Sequence, residues 1–200
     1  MSRFPTALAL AAGLVLAGTG VAQTPAPRAP TTLTKEGYAQ AKHKADAQYT
    51  IDREACSSLR GNAKDICVAE AKAKNDVARA EAAVAYESTP ITRENARVTQ
   101  ARAAYDVAIE KCDDLAGNRK AVCVKEAKAA LVRGKADAKI DRIAANGRRN
   151  ATARELDDVK QADAAKRDAD YKVAIEKCDT FAGPAKEACV GNAKLQYGKS

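Results

Sequence analysis

The sequence predicts an all-α fold in which elongated antiparallel helices form three disulfide-stapled helical hairpins. Three observations carry this expectation. A stretch from Tyr49 to Lys72 returns from Tyr105 to Lys128 and again from Tyr171 to Lys194, with Tyr, Glu, Cys, Gly, Lys, Cys, Val, Ala and Lys in fixed register. All six cysteines lie inside these copies, one pair in each. Alanine, the strongest helix former, makes up almost a quarter of the chain.

The spacing inside a copy argues for a reversal. In one unbroken helix the two cysteines of a copy would stand roughly 16 Å apart along the axis, whereas a disulfide holds its Cα atoms within about 7 Å. Gly61, Gly117 and Gly183 fall between the paired cysteines. Each is placed for a left-handed turn that ends the first helix. Asn62 follows as an N-cap for the return helix, and Pro184 suits the first turn of the last one. The expected bridges are therefore Cys56–Cys67, Cys112–Cys123 and Cys178–Cys189, chosen because every copy carries a complete pair. Continuous helices bridged between copies are the rival arrangement.

Residues 1–22 have the pattern of a secretory signal: Arg3, an apolar run, and small residues before Gln23. Residues 23–33, with alternating Pro and Ala, predict an extended, disordered linker. The first hairpin repeat spans 34–88, with helices expected over 34–60 and 62–86. The second spans 89–147. There Thr89 and Pro90 start a helix that runs to about residue 116, and a return helix covers 118–145 before Asn146-Gly147. The third spans 148–200. Thr152 and Glu155 form a capping-box pattern, and helices are expected to about residue 182 and over 184–197. The copies are offset by 56 and then 66 positions, which predicts arms of unequal length around constant tips.

Few large aliphatic residues are available to bury. The expected interior is a set of narrow alanine-lined seams with Tyr and Val/Ile at intervals, and disulfides compensating for the small core. Core candidates are Val107, Ile109, Leu115, Val122 and Val124, with Val173, Ile175, Phe181, Ala188 and Val190 as their equivalents.

No residue set specifies a reaction, and the expectation is a protein that is not an enzyme and holds no cofactor or metal. His43 is the only histidine, so no histidine-based metal site can form. The cysteines lack the spacings of zinc sites and of thiol oxidoreductases. Asp113-Asp114 and Asp157-Asp158 are adjacent on a helix and diverge on its surface. Asn150-Ala151-Thr152 is a formal glycosylation triplet whose Thr already has a capping role. Glu54, Glu110 and Glu176 recur before the first cysteine of each copy, and Lys64, Lys120 and Lys186 recur after it. A hairpin would bring each such pair across the turn, either as a surface salt bridge or as a repeated charged knob that binds a partner.

The alanine-, lysine- and glutamate-rich helices behind a signal peptide resemble the helical stalk of the envelope protein TolA. This chain differs in lacking a membrane anchor and in carrying cysteine pairs. It also resembles uncharacterised secreted proteins of Gram-negative bacteria with C-x10-C helical repeats. Neither likeness transfers a functional residue.

The signal and the even cysteine count together predict an exported protein in the periplasm or outside the cell. The expected role is structural or protein-interacting in the cell envelope, with no stable membrane insertion after signal cleavage. The net charge of +8, less Arg3, motivates the alternative: a basic module for anionic envelope polymers such as lipopolysaccharide or peptidoglycan. Nucleic acid is not an expected partner, since recognition motifs and aromatic platforms are missing. Long alanine seams would also permit oligomers.

Overall fold

A computed structural model describes residues 32–147 and 150–199. The expected signal segment, most of the expected linker and Arg148-Arg149 lie outside the described residues. Six α-helices follow in order: α1 (Lys35–Ala55), α2 (Gly61–Tyr86), α3 (Pro90–Cys112), α4 (Gly117–Ala145), α5 (Ala153–Cys178) and α6 (Gly183–Tyr197). A short 3-10 turn, Cys56–Ser58, follows α1. No strand occurs among the described residues.

Local chemistry starts each arm where the sequence places it. Thr34 caps α1 by accepting from the Gly37 amide at 3.0 Å. Thr89 caps α3, with Pro90 in the first turn and Thr92 returning the second bond of a capping box. Thr152 and Glu155 form the capping box of α5. These bonds satisfy amides that a helix start leaves free.

The helices α1, α3 and α5 stop four or five residues earlier than the sequence predicts, at or just before the first cysteine of each copy. The reason is geometric. Packed helix axes stand about 8–10 Å apart, and a single glycine cannot span that gap. The residues after the first cysteine therefore leave the helix and make the crossing, with Leu59 and Arg60 extended.

Each helix packs only against its neighbours in the chain: α1 on α2, α2 on α3, and so on to α6. The packing of α2 on α3 is as continuous as that of α1 on α2, so the three hairpins form one serpentine array. The longer second arm pair keeps its register because the added residues are matched. Helix α4 has 29 residues against 26 in α2, and α5 has 26 against 23 in α3. The remaining insertion falls in the loop between α4 and α5.

The buried interior consists of alanines, one cysteine from each bridge and Ile143. Ala71, Ala127 and Ala193 are buried at the same place in all three copies. Helix α4 is lined on opposite flanks: Ala127 and Gly134 lie toward α3, Ala129 toward α5. A Cβ added at Gly134 would come within 2.6 Å of the Ala101 Cβ, which shows how closely the α3 and α4 backbones approach.

None of the named core candidates is fully buried. Phe181 is 52% exposed, Ala188 is exposed and the others are half-buried. A helix in a single file of neighbours is covered along its flanks and open above and below. Only short side chains fit the tight seams, so larger ones sit at the margins. Ion pairs then lace the margins. They include Arg79 to Asp46, Lys139 to Asp158, and Arg142 to both Glu94 and Glu155.

Candidate functional site

Alternating helix direction puts all three disulfide turns at the same end of the array. The bridges are Cys56–Cys67, Cys112–Cys123 and Cys178–Cys189, with Cα atoms 5.7, 5.7 and 5.6 Å apart. Cys56, Cys112 and Cys178 are buried, which seats each bridge at the root of its tip. Disulfides persist in oxidising compartments, and no helix among the described residues is long and apolar enough to cross a membrane.

Gly61, Gly117 and Gly183 adopt left-handed φ values of 56°, 58° and 56°. That conformation costs other residues roughly 1–2 kcal/mol. The glycine has a different duty from the expected one. It opens the return helix, while the outgoing helix has already ended at its cysteine. Asn62 is correspondingly inside α2, and Arg60 holds the N-cap position without a side-chain cap bond. The amide of Asn62 instead crosses to the second tip. It donates to the Glu110 carbonyl at 2.9 Å and to the Asp114 carboxylate at 2.7 Å.

The repeated charged residues find other partners than each other. Lys120 bonds Asp113 and Lys186 bonds Asp179, both at 2.9 Å, clasping the second and third tips. The first tip has Ser57 in the equivalent place. Glu176 reaches Lys125 of the preceding copy at 3.6 Å. The Glu110 carbonyl receives Asn62. Glu54 and Lys64 enter no ion pair among the described residues. These contacts are solvent-exposed or half-exposed, so each is worth about 0–1 kcal/mol.

A second repeated pair joins the copies. Lys111 bonds Glu70, and at the next junction Lys177 bonds Glu126, both at 2.7 Å. The outer flanks of the array lack these residues. Ala55 stands in the lysine position of the first copy, and Asn192 in the glutamate position of the third. Pro184 likewise stands where Asn62 and Asn118 occur. The coupling set is thus confined to the two internal junctions, as expected where terminal repeats are atypical. Comparing the copies for their departures, rather than their identities, is the sequence signal that would have found these positions.

The tips present an apolar row. Leu59, Leu115 and Phe181 hold one register position three residues past the first cysteine. Leu59 is 38% exposed, Phe181 52%, and Leu115 half-buried. Around them the acids are already engaged: Asp113 with Lys120, Asp114 with Asn62, Asp179 with Lys186. His43 is exposed on α1. No group of three or more His, Cys, Asp or Glu among the described residues is arranged to hold a metal ion. Compared with known protein families, curated proteins and solved structures, the chain matches none.

Proposed function

We propose that this protein is a non-enzymatic, exported helical-repeat element of the cell envelope that engages a protein partner through its three disulfide tips. The observation that carries the reading is the alignment of Leu59, Leu115 and Phe181 at one end of the array. Three similar contacts on a rigid base raise avidity without strengthening any one contact. Binding residues carried on turns and held by a rigid scaffold are the usual arrangement for recognition. The disulfides favour an oxidising compartment for the working form, and the signal pattern of residues 1–22 supports the periplasm or beyond.

Binding to anionic envelope polymers fits less well, because many seam lysines and arginines already face carboxylates. The test is photo-crosslinking in envelope preparations, with the reactive group placed in turn at Leu59, Leu115, Phe181 and, as controls at the opposite end of the array, Ile91 and Leu156. The expected result is one discrete partner band from the tip positions, lost on reduction. Equal labelling from the controls, or salt-sensitive capture of polymer alone, would overturn the reading.

A further inference from the structure

The copies differ most where the second and third tips meet. An open groove of about 520 Å³ lies there, lined by Leu115, Val122, Phe181, Asn118 and Arg119, with the paired Glu126 and Lys177 also in its wall. At the first junction the equivalent asparagine is fully engaged, since Asn62 bonds Glu110 and Asp114. At the second, Thr180 replaces the acid, and its hydroxyl turns away to the Lys177 carbonyl at 2.8 Å. The buried amide nitrogen of Asn118 is left without a hydrogen-bond partner. Arg119 stands where the other copies carry Ala63 and Ala185, and it enters no ion pair among the described residues. The neighbouring pairs run Lys120 to Asp113 and Lys177 to Glu126. Phe181 stands where the other copies carry leucine.

Three departures from the repeat therefore converge on one groove, and they are chemically complementary to one kind of group. An unpartnered amide donor beside a free guanidinium suits a carboxylate. The half-exposed phenyl ring and two aliphatic side chains suit an apolar residue joined to it. We propose that this groove binds the C-terminal end of a partner polypeptide. The terminal carboxylate pairs with the exposed Arg119, the buried Asn118 amide turns outward to donate to it, and the last apolar side chain lies on Leu115, Val122 and Phe181. Capture of a chain end by side-chain and backbone donors is an established recognition mode. This inference deepens the tip reading and rests on it.

The experiment is a titration of the oxidised protein with acetyl-Ala-Leu-Phe as free acid and as C-terminal amide, followed by amide chemical shifts. The acid is expected to shift Asn118, Arg119 and Phe181 saturably and to bind about tenfold or more tighter than the amide. Arg119→Ala and, separately, Asn118→Ala are expected to remove that preference while intact disulfides and helicity confirm folding. Equal binding of acid and amide, shifts spread equally over the first junction, or an unchanged preference in Arg119→Ala would overturn the proposal. If the acid does not bind while tip crosslinking persists, the groove assignment falls and the tip reading stands. If both fail, both fall.

Discussion

The Asn62 amide of the first hairpin reaches the Glu110 carbonyl, near the C-terminal end of α3, at 2.9 Å. That carbonyl lies in the last turn of α3, where it already accepts the Asp113 amide at 3.1 Å and takes Asn62 as a second donor. The first copy thus adds a bond at the end of the second copy's helix, and the same side chain holds Asp114. A residue that looks in sequence like a cap for its own helix serves its neighbour's. The array is consequently coupled at its tips as well as along its seams.

Asn62→Ala should lower stability by about 0.5–1.5 kcal/mol, the net worth of a typical intramolecular hydrogen bond. Asn118→Ala should cost less, because its amide has no partner to lose. Thermal or urea unfolding of the oxidised variants checks the order. A larger loss at Asn118 would contradict the junction assignment.

Two glycine substitutions should act in opposite directions. Gly134→Ala places a methyl against Ala101 at 2.6 Å, and overpacking of this kind costs roughly 1–3 kcal/mol. Ala101→Gly in the same chain should recover part of that loss. Gly191 lies inside α6 with open space around a new Cβ, so Gly191→Ala should stabilise by up to about 1 kcal/mol. Unfolding midpoints of the three variants decide the matter.

Removing a bridge should act according to its place in the array. Each closes a short loop and should contribute roughly 2–4 kcal/mol. Replacing Cys112 and Cys123 with serine should lower the stability of the whole array, since α3 and α4 each pack on two neighbours. Replacing Cys178 and Cys189 should release mainly α6, which is the shortest helix and packs on α5 alone. Hydrogen exchange resolved by segment distinguishes the two. Identical exchange patterns would argue against a chain of nearest-neighbour couplings.

Acid should weaken the array from its margins. The hydrogen bond from Asn75, then that from Arg79, holds the Asp46 carboxyl below its ordinary value of 3.8. Lys139 does the same for Asp158, and Lys172 with Lys199 for Asp168. For Glu155 the Thr152 amide is the main cause. A carboxylate with a depressed value stabilises the fold in full above its unfolded value. It loses that contribution as pH falls through the folded one. Lys166 has the opposite sign: its bond to Asp137 raises it above 10.5, so its contribution fades only as pH rises past that point. Thermal midpoints should therefore hold level through neutral pH and fall below about pH 4. Added salt should flatten the fall, since these groups are solvent-exposed. A midpoint that rises on acidification would contradict the assignment.

The hairpins were legible because their cause is local and covalent. Two cysteines at fixed spacing around a glycine admit a bridge only if the chain turns between them. The capping residues Thr89, Thr152 and Glu155 were readable for the same reason, since their partners lie within four positions in the chain. The core was not. Val107, Ile109 and Phe181 outrank alanine on any hydrophobic scale. Yet in a single file of helices burial goes to whichever side chain lets two backbones approach. Helix α4, buried on two opposite flanks, shows no single apolar stripe to read.

The sequence by itself determined the order of helices and the three bends and favoured the local sulfur pairing, because each depends on residues close together in the chain. Only the tertiary structure decided what the tips do to one another. Which lysine meets which glutamate, why Asn62 is satisfied and Asn118 is not, and how Arg119 and Phe181 come to line one groove all depend on segments roughly forty or more positions apart. Those relations follow from how adjacent hairpins pack in space, which no local pattern encodes.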